Sequence, residues 1–229
     1  NVQAEPAFNQ GFFEIQDEGS QLAATLAGAA PGETVLDLCA GAGGKTLALA
    51  AAMQNTGAIT AFDAEKPRLA PIFERLRRSD VRNVEVVARL SELDHLANAA
   101  DLVLVDAPCT GSGTWRRRPD AKWRLSDRQL DARTAEQSAI LDQAARYVRP
   151  GGRLAYITCS VFRAENGAQV EGFLARNPGF TAADPVALWE GVAPGTAHRA
   201  RFDSGQGIVL SPARSGTDGF FFSLFHRKA

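Results

Sequence analysis

The sequence predicts a doubly wound α/β fold around one mainly parallel sheet. Short apolar runs alternate with amphipathic stretches along the chain, an early strand runs straight into a glycine-rich turn and a helix, and two later strands end on aspartates. Thr34 to Cys39 reads as the first, buried strand, followed by Gly41, Gly43 and Gly44 and a helix from about Thr46 to Gln54. Gly57 closes that helix, and Ala58 to Phe62 forms a second strand ending at Asp63. Glu65 to Ser79 is an amphipathic helix expected to bury Leu69, Ile72, Phe73 and Leu76 on one face. Asn83 to Ala88 and Leu102 to Val105 are the next strands, the latter ending at Asp106. A helix from about Thr134 to Tyr147 leads to a fifth strand, Arg153 to Thr158, and a helix near Glu165 to Arg176. Ile208 to Leu210 and Phe220 to Phe225 complete seven strands. Residues 1–229 are expected to form one domain, with 1–18 as a lead-in and 185–218 as a loop-rich insertion before the last strand.

Composition narrows the function. The 229 residues include 25 basic and 26 acidic side chains, and 45% are apolar. Balanced charge and normal apolar content exclude wholesale disorder. No run approaches the roughly 18 apolar residues of a membrane span, and no basic segment followed by an apolar one marks a secretory leader. Three cysteines do not make a disulfide framework and suit a reducing, cytoplasmic setting. A net charge of −1 excludes a generally basic coat, so a nucleic-acid partner would be held by a local patch.

The turn Asp37-Leu38-Cys39-Ala40-Gly41-Ala42-Gly43-Gly44-Lys45-Thr46 is the first chemical signal. A phosphate-binding P-loop needs glycine where Cys39 stands, and a dinucleotide fingerprint needs glycine where Thr46 stands. What remains is a glycine turn that lets a ligand approach the backbone, with Asp63 placed to accept hydrogen bonds from ribose hydroxyls. A plain tight turn would read the same way. Lys45 opposes the macrodipole of its helix at a cost of roughly 0.3–1 kcal/mol, which a solvated lysine tolerates but which also suits a substrate contact.

Cys39, Cys109 and Cys159 follow the first, fourth and fifth strands. Ligands of doubly wound sheets bind outside the carboxyl ends of such strands, so the three thiols are expected to line one cleft. Each alone would pass as a small buried residue. No Cys-x-x-Cys pair exists and the three histidines are scattered, so no metal is expected. Nucleophilic catalysis beside a bound cofactor fits better.

Asp106-Ala107-Pro108-Cys109-Thr110-Gly111-Ser112-Gly113 and Thr158-Cys159-Ser160 together resemble the RNA cytosine-C5 methyltransferases of the Rsm B/Nop2/Sun type. The likeness extends to Gln16-Asp17-Glu18-Gly19-Ser20, Arg117 to Trp123 and Thr217-Asp218-Gly219-Phe220-Phe221, and so covers nearly the whole chain. It implies a Rossmann-like class I methyltransferase with a seven-stranded, mostly parallel sheet whose last strand is antiparallel. It also implies S-adenosylmethionine as cofactor and an rRNA or tRNA substrate. In that family Cys159 would be the nucleophile adding to cytosine C6, and Cys109 would assist proton removal and product release. Asp106 and Lys45 would contact the base and the cofactor, and Lys45 is expected to lower the pKa of Cys159. Cys39, Ala40, Gly41, Ala42, Gly43, Gly44 and Lys45 would form the turn under the methionine end, with Asp63 on the ribose and Arg68 and Asp106 nearby. Two departures bear on cofactor affinity. Ala42 replaces the usual proline, and Ala88-Arg89-Leu90 lacks the usual acid after the third strand, for which Glu92 or Asp94 would substitute.

Trp115, Arg116, Arg117, Arg118, Lys122, Trp123, Arg124 and Arg128 interleave cations with aromatics, as phosphates and stacked bases favour. Arg116, Arg117, Arg118, Lys122 and Trp123 are the expected RNA contacts, although a solvated charged loop would have the same composition. The alternatives are a catalytically inactive RNA- or nucleotide-binding domain, a DNA cytosine-C5 methyltransferase and a nicotinamide dehydrogenase. Cys159 speaks against the DNA enzyme, the failed fingerprint against the dehydrogenase, and the retained cysteine pair against the inactive domain. A monomer is expected, with RNA targeting residing in a further segment.

Overall fold

The structure, a computed structural model, describes residues 2–203 and 206–229. After a 3-10 turn come α1 (Pro6–Asn9), α2 (Glu18–Leu26), β1 (Thr34–Asp37), α3 (Gly44–Ala52), β2 (Ala58–Phe62), α4 (Lys66–Arg78), β3 (Val84–Val87) and β4 (Ala100–Asp106). The chain continues through α5 (Ala121–Arg124), α6 (Asp127–Ala145), β5 (Val148–Thr158), α7 (Gly167–Arg176), β6 (Phe180–Ala182) and α8 (Pro185–Val192). It ends with β7 (Arg201–Asp203), β8 (Gly207–Leu210), α9 (Pro212–Ser215) and β9 (Phe220–Arg227).

All these strands join one nine-stranded sheet in the order β3-β2-β1-β4-β5-β9-β8-β7, with β6 also paired to β9. The five strands from β3 to β5 are parallel, and β9 lies antiparallel to β5, with Tyr156 opposite Ser223. The mainly parallel α/β sheet and its antiparallel last strand therefore stand. Among the described residues the sheet has nine strands where seven were expected, because β6 and β7 are three-residue strands too short to leave a periodic signature. Among the described residues of 185–218 lie α8, the antiparallel pair β7 and β8, and α9.

Local chemistry explains the elements. The middle of β4 and the last residues of β5 are buried on both faces, as parallel strands covered by helices require. In α4, Leu69, Ile72 and Leu76 are buried, whereas Phe73 is 59% exposed, which corrects its expected place on the apolar face. Helix α6 begins earlier than expected because Ser126 and Gln129 form a reciprocal capping box, with Ser126 accepting from the Gln129 amide. Between β1 and β4 the winding reverses, and the carboxyl ends of these strands open the crevice where doubly wound sheets bind ligands. Among the described residues, no helix is long and apolar enough to cross a membrane.

Candidate active site

The turn after β1 is shaped by packing as much as by ligand access. Gly43 has φ +83°, and a Cβ there would lie 2.4 Å from the Ile72 side chain of α4. Only glycine permits both the left-handed backbone and this approach. Asp63, at the end of β2, accepts from the Gly41 amide (2.9 Å) and the Glu65 amide (2.9 Å) and is almost fully buried. Arg68 stands 3.6 Å from it. Cys39, Ala40, Gly41, Ala42, Gly44, Lys45, Arg68 and Asp106 line a cleft of about 250 Å³, while Gly43 and Asp63 sit behind it.

One wall of the cleft comes from the lead-in and the first turn of α2. Ile15, Gln16 and Ser20 line it with Arg75, and Glu14 is ion-paired to both Arg75 and Arg78 of α4. Arg75 also donates to the Ala42 carbonyl at 2.9 Å. The Glu14 contacts join positions some 60 residues apart, and sequence reasoning missed them. Glu92 accepts from the Ala88 and Arg89 amides, at 3.2 and 2.8 Å, and so closes its own turn. A cavity of about 620 Å³ beneath the lead-in, against α3, contains none of the three cysteines.

Lys45 is 7% exposed. Its Nζ donates to Asp106 Oδ2 at 2.6 Å and sits 5.4 Å from the centre of the Phe220 ring. The carboxylate and the ring answer its unfavourable position at a helix N-terminus. Asp37, fully buried, accepts from the Thr46 hydroxyl at 2.7 Å. Burial, followed by the nearby Asp106 charge, raises its pKa to about 7, against the lowering effect of Thr46 and Lys45.

The thiols divide. Cys109 and Cys159 bring their Sγ atoms to 3.3 Å, and the Cys159 carbonyl accepts from the Gly113 amide at 2.9 Å. A Cβ at Gly113 would lie 2.1 Å from the Gly219 carbonyl, so glycine is needed where the Cys109 loop meets the Gly219 backbone. Cys39 instead lines the cleft beside the glycine turn, and its thiol is pushed up by burial and by Asp37, Asp106 and Asp63. The expectation of three thiols in one cleft is thereby corrected to a pair. The contact with Cys109 lowers the Cys159 pKa against burial, and the same contact raises that of Cys109. Lys45 lowers Cys159 as expected, but Asp106 opposes it and Cys109 is the larger cause.

The basic stretch also divides. Arg116 and Arg117 both bind the buried Asp218, through Nε–oxygen contacts of 2.8 and 2.7 Å. Lys122 stands over Trp115 and Trp123, and Trp123 is 81% exposed. Among the described residues, Arg118 has no ion-pair partner.

The sequence pattern of the family described as 16S rRNA methyltransferase RsmB/F matches residues 24–226. The chain belongs to this family. It is 34% identical to ribosomal RNA small subunit methyltransferase B of Cronobacter sakazakii, over 99% of this chain and 50% of that protein. It is 38% identical to the protein of the same name from Xylella fastidiosa, over 95% of this chain and 49% of that one. The crystal structure of PH0851 matches with a TM-score of 0.89 and 36% identity, covering 99% of this chain and 50% of that one. NSun6 from Pyrococcus horikoshii, solved with SFG, matches with a TM-score of 0.85 and 27% identity, covering 100% and 56%. The chain thus spans about half the length of the curated relatives it matches. The RsmB/F family is S-adenosylmethionine-dependent, and the residues lining the cleft fit such a cofactor: a glycine turn held in shape by buried Asp63, with Lys45, Arg68 and Asp106 around it. Among the described residues, no group of three or more His, Cys, Asp or Glu could hold a metal ion.

Proposed function

We propose that this chain methylates C5 of a cytosine in ribosomal RNA through a covalent bond between Cys159 and C6. The observation that carries the reading is the contact of Cys159 with Cys109 at 3.3 Å, beside the Lys45–Asp106 pair. Cytosine C5 is a weak nucleophile, so the ring must be activated before a methyl group can be accepted. The Cys159 thiolate forms a bond to C6, and the C5=C6 electrons move to C5, which takes up the methyl group. S-adenosylmethionine supplies that group as an electrophilic sulfonium methyl. Loss of the C5 proton then re-forms the double bond and expels Cys159: the Cys109 thiol gives its proton to the departing Cys159 sulfur and, as thiolate, takes up the C5 proton.

The environments of the two thiols support this division of roles. Cys159 is the one driven toward thiolate, and Cys109 the one that keeps its proton. Asp106, one-third exposed at the cleft and held by Lys45, would accept from the exocyclic amine of the base. A base within a helix must be flipped out or already unpaired to meet the thiol. Lys122, Trp123 and Arg118 offer outward stacking and phosphate contacts next to the Cys109 loop. Small-subunit rRNA carrying tritium at cytosine C5 tests the reaction. Methyl incorporation with stoichiometric tritium release is expected, whereas incorporation without release would place the methyl on another atom.

A further inference from the structure

Glu165, in the turn before α7, is fully buried, and its carboxyl oxygens accept hydrogen bonds from both cysteine loops. Oε1 accepts from the Thr110 amide at 2.8 Å and from Gln137 Nε2 at 3.1 Å. Oε2 accepts from the Thr110 hydroxyl at 2.6 Å and from the Ser160 hydroxyl. Thr110 follows Cys109, and Ser160 follows Cys159. Gln137 reaches past Cys109 to donate to the Pro108 carbonyl as well, at 2.8 Å, so Cys109 is held on both sides. The neighbouring Asn166 donates to the Ser160 carbonyl at 2.9 Å and accepts from Thr158 at 2.6 Å, which does the same for Cys159. A buried carboxyl without water must find its donors in the protein, and three of these four come from the residues following the two cysteines.

We propose that Glu165 is a positioning residue that sets the separation of Cys109 and Cys159, acting on the reaction through the thiols without touching the substrate. A shift of about 1 Å between reacting groups is enough to lower a rate roughly 10²-fold. The proposal rests on the cytosine reading for its effect on turnover, and on the thiol contact alone for its effect on Cys159.

The test compares the wild-type chain with Glu165→Gln, a substitution of similar shape whose NH2 group faces donors. Alkylation of Cys159 by iodoacetamide is followed against pH by peptide mass, without RNA or cofactor. A folded Glu165→Gln is expected to shift the Cys159 midpoint upward, toward the ordinary thiol value of about 8.5. Turnover on RNA is expected to fall roughly 10²-fold while S-adenosylmethionine affinity is unchanged, a combination that general loosening of the fold would not give. An unchanged alkylation profile overturns the proposal. Should Glu165→Gln fail to fold, Thr110→Val and Ser160→Ala each remove one arm of the clamp; an upward shift in both supports the proposal and no shift in either overturns it. A shifted profile in a chain whose wild type methylates no cytosine sustains the role of Glu165 and defeats only the cytosine reading.

Discussion

Cys109 and Cys159 stand with their Sγ atoms 3.3 Å apart across 50 residues of sequence. They meet because β4 and β5 are parallel neighbours whose register sets Asp106 beside Ile157, so the two chain segments leave the sheet together. The contact acts on the two thiols in opposite directions, lowering the pKa of Cys159 and raising that of Cys109.

That asymmetry fixes a pH dependence. Cys159 has its pKa lowered first of all by the Cys109 hydrogen bond, so its thiolate persists to lower pH than an ordinary thiol's. Cys109→Ala is expected to move the Cys159 alkylation midpoint upward. Asp106→Asn should move it downward, because Asp106 raises this pKa, and Lys45→Met should move it upward. A downward shift in Cys109→Ala would contradict this effect of the contact.

Gly43→Ala should destabilise the chain by about 3 kcal/mol, combining left-handed strain with a 2.4 Å approach to Ile72. Gly216, also at positive φ but with nothing within 4 Å of where a Cβ would stand, is the control and should cost only about 1 kcal/mol. Denaturant unfolding of the two variants distinguishes packing from backbone strain, and equal losses would refute the packing argument.

Asp218 couples the basic stretch to stability. Burial works to raise its pKa, but Arg117 and Arg116 hold it below the ordinary carboxylate value. Its folded pKa is therefore below its unfolded one, so its contribution is present above the unfolded pKa and is lost as pH falls through the folded one. Asp218→Asn is expected to lower stability at pH 7 by about 2 kcal/mol and to flatten the acid side of the stability profile. An unaltered acid limb would show that the two arginines do not depend on it.

The same division predicts two classes of arginine variant. Arg118→Ala and Lys122→Ala should each reduce the slope of RNA affinity against salt by about 1 while leaving the melting temperature in place. Arg116→Ala and Arg117→Ala should lower the melting temperature as well, since each removes a partner of buried Asp218. Salt titrations paired with thermal melts read both, and identical behaviour of the four variants would contradict the division.

Sequence legibility follows the range over which each feature is encoded. The glycine turn, Asp63 and the two cysteine motifs are contiguous segments at strand ends, so residue type and position suffice to place them. The Glu14 contacts with Arg75 and Arg78, the Asp218 contacts with Arg116 and Arg117, and the Glu165 clamp join residues far apart in the chain. No periodicity reports such pairs. Cys39 shows the opposite failure, since it sits at a strand end like the other two thiols but lines the cleft beside the glycine turn. Phe73 falls on the apolar stripe of α4 by spacing and yet remains exposed, because the sheet surface is filled by Leu69, Ile72 and Leu76. The start of α6 was readable from Ser126 and Gln129, but the helix opens on a polar turn that hides it from hydrophobic spacing.

The covalent step itself is open to a denaturing gel for a protein–RNA adduct. Cys109→Ala is incubated with S-adenosylmethionine and small-subunit rRNA, beside the double variant that also carries Cys159→Ala. A retarded, RNase-sensitive band is expected in Cys109→Ala and not in the double variant, as the proposed roles of Cys159 in forming the bond and Cys109 in releasing it require. A band that persists without Cys159, or methyl transfer that proceeds normally in Cys159→Ala, would rule out Cys159 as the nucleophile.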